Sequence, residues 1–552
     1  MKNLLILFTF LLVVPNFGFG ETGLTIFSEN YTYKLESLDT YTSLVEVEGI
    51  NATQQTSFIA FPVGELAEVI SIEVYELIKD KWKASRIKNE VTISTMSWSA
   101  FFTGTKKYIY SIPAGVVFRF VFKTAEKNSI FLTEMQSKGQ FDAASVSYHF
   151  FLPENLELSD QSGGNFEGEV YYRNEDFKEY DELFYVIHPK NRVAIDYFSE
   201  WFNERIEPQL AISETVIPDE LVAKYKLETK KEFAKNCFRF VQDQIKYIDI
   251  ENGINAVIPR HSEKVLKNGM GDCKDMATLL CGLYRYFGFE AYPAISRTNS
   301  KSKIFDFPSV GLANHMICVL RLDEEWYFLD PTEEGCLFGD PSIQILNTEV
   351  FLVGGKGNYF LSVPDHPRSE TIARLEYRID KETDSLYLTI TSEGKLNSNF
   401  YYLSLKRNDK ERFLEQYFSK ISGVRLRLKS FAITPEKSIL FLEGKLGYSN
   451  YAELGQTRLY HLTFVPKLED LCLILQNNNI PLFDCNLEIG FNFSGKMDLQ
   501  QEFSTTLIET KKEERNDIFL LHIKQNEDQF ELLKREWSTF LEQPKSIEYV
   551  KK

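Results

Sequence analysis

The apolar residues of this chain change their period twice along its length, which excludes a fold made of one kind of element. From about Glu21 to Arg192, short runs such as YTYKLES, TSLVEVEGI, KYIYSIP, VVFRFVFK and SVSYHFFL alternate apolar with polar residues between turn signals, the pattern of an antiparallel sandwich. Within VVFRFVFK, Phe118, Phe120 and Phe122 share one face, with Arg119 and Lys123 at solvent or an edge. Near Val193 the spacing becomes helical: YFSEWFNERI is followed by KKEFAKNCFRFVQDQI, where Phe233, Cys237, Phe240, Val241 and Ile245 line one side. After VPDHPRSE at Val363 to Glu370 the alternation returns, with helices expected in DKERFLEQYFSKI and DQFELLKREWSTFL. The 45 Phe and 28 Tyr suit such a β-rich chain, because aromatic side chains favour pleated, half-buried surfaces.

A chain of 552 residues is too long for one core. At ~100 to 200 residues per domain it divides into about three units. The expected boundaries are a leader at 1–20, an N-terminal β-sandwich at 21–192, a mixed core at 193–365 and a β-rich unit at 366–552. The leader, MKNLLILFTFLLVVPNFGFG, sets Lys2 before an apolar run from Leu4 to Val14 and ends in Gly18 and Gly20, as an export signal does. That run falls short of the ~18 to 20 residues that span a bilayer, so the mature chain is expected to be exported, periplasmic or secreted, without a transmembrane segment. A formal net charge of −17 and the lack of any basic run exclude a dedicated nucleic-acid binder. Seven cysteines form no Cys-x-x-Cys pair, there is no His-x-x-x-His spacing, and no acidic loop has calcium-binding spacing, so no metal or other cofactor is expected. Their odd number leaves at least one thiol free or paired outside the chain.

The chemistry concentrates in NGMGDCKDMATLL, Asn268 to Leu280. Upstream, HSEKVLKNG reads as a short helix capped by Ser262 and stopped by Gly269. Asp272 then caps a second helix, with Cys273 at its first position and Asp275 at its third in a variant of the capping box. Met276, Leu279, Leu280, Leu283 and Phe287 mark a buried stripe, and Gly288 stops the helix. A thiol at a helix N-terminus meets unpaired amides that favour the thiolate, which primes Cys273 as a nucleophile; the alternative is a cysteine that merely fills the position. Gly269 and Gly271 would leave an open approach to the sulfur. Lys274 could stabilise the thiolate, but a lysine at a helix start is expected to point to solvent. Cys281 and Cys318 read as core.

A nucleophilic cysteine needs a base, and His315 opens HMICVLRLDEEWYFLDPT, which reads as a hairpin. A two-residue Asp323-Glu324 loop brings Asp330 level with Ile317, one same-face step from His315; a four-residue loop sets it directly opposite; an odd-length loop separates the two. Singly, His315 could be a strand-end histidine and Asp330 a turn former. In the order Cys, His, Asp they form a set suited to acyl transfer.

Together, GDCKDMATLLCGLYRYFGFEAYPA and NHMICVLRLDEEWYFLDPT resemble the core of the transglutaminase-like superfamily over roughly Val193 to Pro364. The layout resembles exported bacterial members that carry an N-terminal domain termed DUF3857. The resemblance implies an α+β fold, a papain-like core flanked by an N-terminal antiparallel β-sandwich and a C-terminal β-rich domain. It implies Cys273 as nucleophile, His315 as general base and acid, and Asp330 as the group orienting His315. The Cys273 N–H would stabilise the oxyanion with help from an upstream side chain, for which Tyr247 in IKYID is the candidate; the alternative is a tyrosine of the core or rim. The expected function is a cysteine peptidase or amidase acting through a thioester on a protein or peptide. Amine-accepting crosslinking and a non-catalytic envelope scaffold, with β domains that contact glycan or protein, are the alternatives.

Overall fold

The computed structural model describes residues 23–460 except 86, 88, 94–100, 104–105, 178–180, 252, 299–306, 334–335, 356–359, 365–371, 381–382, 394–396, 398–408, 435–436, 448–450 and 455–456. Beyond 460 it describes the strands at 485–493, 497–498, 508–513, 516–523 and 545–547. The leader expected at 1–20, the helix expected in DQFELLKREWSTFL and most of VPDHPRSE lie outside the described residues. The described residues divide into two compact units, one running up to Thr332 with Thr348–Val363, the other Glu333–Asn347 with the chain from Pro364 onward. The architecture is α+β, with β-rich parts on either side of the helical stretch.

In the first unit, alternation has built sheets. Seven strands order as Glu169–Arg173, Ser145–Phe151, Leu24–Leu35, Thr40–Asn51, Val117–Lys127, Ala67–Ile78 and Lys81–Ala84. All neighbours are antiparallel except Leu24–Leu35 with Ser145–Phe151, which run parallel. That exception needs a crossover rather than a hairpin, which alternation alone does not reveal. Phe118, Phe120 and Phe122 are buried on one face of this sheet, where Phe61 of the Ser57–Val63 strand packs on them, its ring centroid 5.3 Å from Phe120 and 5.2 Å from Phe122. One buried face per strand and a second sheet against it are what make a sandwich.

Five helices follow: α1 (Ala194–Ile206), α2 (Asp219–Leu227), α3 (Lys230–Gln244), α4 (Ser262–Asn268) and α5 (Cys273–Tyr286). In α3 the buried residues are Phe233, Ala234, Cys237, Phe238, Val241 and Gln242, so the stripe is rotated from the expected one and Phe240 sits at its edge. Helix α5 differs more. Its first twelve residues, Cys273 to Tyr284, are all buried, whereas the sequence pattern predicts one apolar stripe. It is the central helix, with α3 and α4 against it and the strands Glu290–Ser296 and His315–Leu322 beneath. The Tyr284 hydroxyl donates to Ala234 O of α3 at 2.8 Å.

The sheet under α5 is antiparallel, in the order Glu325–Leu329, His315–Leu322, Glu290–Ser296, Glu349–Leu352, Phe360–Ser362. An apolar cluster runs from Ile130 and Phe131 of the 3-10 turn Ser129–Phe131 and Phe184 and Val186 of the strand Glu182–Pro189 through Phe198, Trp201 and Phe202 of α1 to Ala277 of α5 and Phe351. The N-terminal layer and the helical core therefore share buried surface.

In the second unit, seven strands order as Leu426–Ile433, Lys437–Lys445, Ser385–Glu393, Ile372–Asp380, Cys485–Phe493, Asn516–Ile523 and Ile508–Glu513, with the helix Lys410–Ser422 packed on the first.

Candidate active site

The nucleophile candidate is set by helix capping. Asp272 Oδ1 accepts the Asp275 N–H at 3.2 Å and Asp275 Oδ2 accepts the Asp272 N–H at 3.1 Å, the reciprocal box that the sequence predicts. Asp275 also binds Arg260, whose backbone N–H donates at 2.7 Å and whose Nε and guanidinium nitrogen lie at 3.0 and 2.6 Å. Box and guanidinium together fix the first turn and place Cys273 at N1.

The two glycines play another part than an approach path. Gly269 ends α4 in the left-handed conformation at φ 63°. Gly271 admits no side chain, since a Cβ there would lie 2.8 Å from Asp275 Cβ and 3.2 Å from Val265 Cγ1. They let α4 and α5 close on each other. The cap of α4 is His261 rather than Ser262: the His261 ring accepts the Glu263 N–H, while Ser262 turns inward, its oxygen 3.3 Å from where a Gly282 Cβ would sit.

The hairpin takes the two-residue loop. Leu322 pairs with Glu325, and Asp323 and Glu324 have φ of 50° and 65°, as a primed turn requires at both central positions. Continuing that register from the Cys318 and Leu329 pair sets Asp330 level with Ile317. His315 Nε2 then lies 2.8 Å from Asp330 Oδ2. The other carboxylate oxygen accepts the Thr332 N–H at 3.1 Å and hydroxyl at 2.6 Å, so Asp330 forms the turn and holds the imidazole at once. Asn314 anchors the start of the strand: its N–H donates to Ser296 O at 3.1 Å, and its amide exchanges two 2.8 Å bonds with Thr298.

The His315 ring also hydrogen-bonds the Cys273 thiol. With Nε2 turned to Asp330, proton exchange with sulfur falls to Nδ1. Tyr247 joins them through a parallel pairing of Lys246–Tyr247 with Met270–Gly271, in which the Ile248 N–H donates to Gly271 O at 2.9 Å. This puts Tyr247 beside Gly271, two residues before Cys273.

The site is deep, with Cys273 and His315 each 6% exposed and Asp330 1%. Burial raises the thiol above its ordinary value, and the bond and charge of His315 pull it back without reversing the direction. The helix terminus alone predicts a lowered thiol; desolvation overrides it because it penalises the thiolate. At His315 burial favours the neutral ring, but the Asp330 charge and hydrogen bond, with Cys273, overcome this and hold the imidazolium well above the ordinary range. Asp330 shows the converse: burial opposes its charge, yet His315 and Thr332 keep the carboxyl below its usual value. Tyr247 is raised first by burial and then by the charges of Cys273, Asp249, Asp272 and Asp330, so it stays a neutral phenol able to donate.

Three neighbours escape the sequence reading. Arg260 carries no local signal. Thr332 does, since DPT is an Asx-turn sequence. Lys274 is read in the wrong direction: it is 2% exposed and its ammonium bonds Asp272 Oδ2. Cys281 and Cys318 are fully buried and hydrogen-bonded to each other. Among the described residues no helix is long and apolar enough to cross a membrane.

The family model for the transglutaminase-like superfamily matches residues 219–331, which contain Tyr247, Cys273, His315 and Asp330. A search of curated proteins finds no match. Among solved structures, a "putative protease" of Parabacteroides distasonis aligns over 95% of this chain and 99% of its own at 10% identity and a TM-score of 0.53, so the two share a fold. A "putative cysteine protease" of Cytophaga hutchinsonii aligns over 54% of this chain and 78% of its own at 11% identity, with a TM-score of 0.17 that carries no structural argument. The capped cysteine helix, the hairpin beside it and the family match over the same residues lead to one conclusion: residues 219–331 are a domain of the transglutaminase-like superfamily.

Proposed function

We propose that the protein is an exported thiol acyl-transfer enzyme, a peptidase or amidase in which Cys273 is the nucleophile, His315 the acid and base, and Asp330 the group that orients His315. One observation carries the reading: a single imidazole bonds the thiol of a helix-start cysteine and a buried carboxylate at 2.8 Å. The leader at 1–20, a DUF3857-type unit at 21–192, a core at 193–365, a C-terminal unit at 366–552 and a protein or peptide substrate belong to the same proposal.

In the reactive form Cys273 is a thiolate beside the His315 imidazolium. Sulfur attacks the carbonyl carbon, an S–C bond forms, and the carbonyl oxygen takes the negative charge within reach of the Cys273 N–H and the Tyr247 hydroxyl. The C–N bond then breaks as His315 gives its proton to the leaving amine, which leaves a thioester and a neutral ring. Water attacks the thioester with His315 accepting its proton, and the acid and the thiolate are released. Asp330 remains ionised throughout and holds the ring through Nε2.

Burial of the thiol is the observation that favours the second reading, a scaffold without turnover. Alkylation separates the two: selective modification of Cys273 at pH 8 that is lost in His315→Ala supports the enzyme, and a Cys273 that reacts no faster than the other cysteines refutes it. An envelope lysate incubated with wild type or Cys273→Ala then identifies the reaction. New peptide termini with wild type alone indicate hydrolysis, whereas new isopeptide links indicate an amine acceptor.

A further inference from the structure

We propose that Lys274 is a positioning residue of this site: its buried ammonium, ion-paired with Asp272 across Cys273, cancels the charge of the capping carboxylate at the sulfur. The inference rests on Cys273 being the nucleophile and concerns how the charge around it is set.

Position is the first argument. Asp272, Cys273 and Lys274 are the N-cap, N1 and N2 residues of α5, so a bridge between the outer two spans the backbone of the nucleophile. Lysine at N2 ordinarily extends into water, where a positive end of the helix is poorly matched by a cation. Here Lys274 is buried instead, and a buried ammonium persists only when it is paired.

The division of labour within Asp272 is the second argument. Oδ1 accepts the Asp275 N–H and starts the helix, while Oδ2 binds the Lys274 ammonium. Ser, Thr or Asn would cap α5 with no charge at all. An aspartate at this place sets a negative charge next to a thiol that must itself become negative, and the pairing with Lys274 offsets that charge.

The surroundings are the third. His315 from the sheet and Tyr247 from the pairing beside Gly271 also act on the sulfur, and the charges of Asp249 and Asp330 reach Tyr247. Asp330 has His315 as counter-charge and Asp275 has Arg260. Lys274 supplies the counter-charge for Asp272. Burial pushes the Asp272 carboxyl up to about 7 even against the pull of Lys274, so its charge at neutral pH depends on that ammonium.

The test is the pH profile of Cys273 alkylation by iodoacetamide in the full chain, followed by mass spectrometry. Asp272→Asn keeps a capping oxygen and removes the carboxylate charge that Lys274 pairs with beside the sulfur. Its profile is expected to move to lower pH by about one unit, or roughly tenfold faster reaction at pH 7. Adding Lys274→Met to Asp272→Asn removes the cation and is expected to restore the wild-type profile to within about threefold. Asp272→Ser, which caps equally well, repeats the charge removal should the asparagine variant not fold. A purely structural role moves no profile and gives no reversal by the second substitution, so an unshifted or slower Asp272→Asn, or a double variant as fast as the single one, overturns the proposal. A wild-type Cys273 that does not react selectively overturns the nucleophile assignment and this inference with it. A reactive wild type with unchanged variants overturns this inference alone.

Discussion

Asp330→Asn is the perturbation whose consequence the geometry specifies most closely. Asp330 accepts three hydrogen bonds: the His315 Nε2–H on Oδ2, and the Thr332 N–H and hydroxyl on Oδ1. An asparagine has one acceptor oxygen. The two Thr332 donors claim it, because turning the amide round would set its NH2 against both. The NH2 of the substituted side chain therefore faces His315 Nε2, which must become an acceptor, and the ring proton moves to Nδ1, toward Cys273. In that tautomer His315 cannot take the thiol proton, and the imidazolium loses its buried counter-ion. A hydrogen bond to a charged group contributes about 1.5–3 kcal/mol, which sets the loss at roughly ten- to hundred-fold in the rate of Cys273 alkylation at fixed pH. The rate is read by mass spectrometry of the Cys273 peptide after timed exposure to iodoacetamide. An Asp330→Asn variant that alkylates within about twofold of wild type across pH 6 to 9 would falsify the assigned role of Asp330.

The same pair predicts a pH window for stability. The folded His315 value is raised, so its contribution is complete below the unfolded value of ~6.5 and is lost as pH rises through the folded one; Asp330 is depressed, so its contribution is complete above ~3.9 and is lost as pH falls through its folded value. The difference in urea midpoint between wild type and Asp330→Asn should then be largest between about pH 4 and 6.5, and a difference that grows steadily to pH 10 contradicts the linkage. Gly271→Ala forces a methyl against Asp275 and Val265 and should lower stability by about 1–3 kcal/mol in denaturant unfolding, with Cys273 alkylation slowed as the first turn of α5 shifts. Phe198→Ala, in the cluster shared by the N-terminal strands and the helical core, should cost about 3–5 kcal/mol and loosen both, seen as one unfolding transition at lower urea rather than two. Tyr247→Phe tests the oxyanion assignment: on any substrate found by the lysate comparison, kcat should fall by about 10²-fold with the urea midpoint nearly unchanged.

The features legible in the sequence are those fixed by neighbours along the chain. The capping box at Asp272 and Asp275 needs only three residues of separation, and the stop at Gly288 is a property of its own backbone, with φ at 82°. The hairpin is legible to within its loop length, because an even loop keeps His315 and Asp330 on one face and only the φ values of Asp323 and Glu324 choose between two and four residues. The α+β layering follows from the two changes of period. What the chain does not display is set by packing between distant segments. The parallel pairing of Leu24–Leu35 with Ser145–Phe151 joins strands far apart in the chain, and either strand alternates equally well in both directions. The full burial of α5 turned Lys274 inward and the thiol upward in pKa, against expectations drawn from a helix start seen in isolation.

That burial explains why the site carries so much charge. Three ion pairs stand around Cys273, Asp272 with Lys274, Asp275 with Arg260 and Asp330 with the His315 ring, and Asp249 is a further buried carboxylate near Tyr247. With a neutral thiol and a protonated His315 the three pairs balance; with the neutral ring that takes the thiol proton, they and the sulfur together carry one negative charge both before and after the transfer. A thiolate in this low-dielectric space is penalised first by desolvation, which holds the thiol above its ordinary value. Acylation takes the charge off sulfur, and the balance returns once the His315 ring regains a proton. Within these pairs the thiol beside a protonated His315 and the reprotonated thioester are therefore matched, and the thiolate–imidazolium state carries one more negative charge. A substrate that brings its carbonyl to Sγ drives the site toward the covalent state, while the thiolate remains a transient. Any substitution that removes one carboxylate from the set and keeps its cation should favour the thiolate. Asp330 is the exception, because its cation is the proton carrier itself and is discharged when the carboxylate goes. Opposite signs for Asp272→Asn and Asp330→Asn in one alkylation assay follow from this count of charges and from no account in which the two aspartates act only as structural caps.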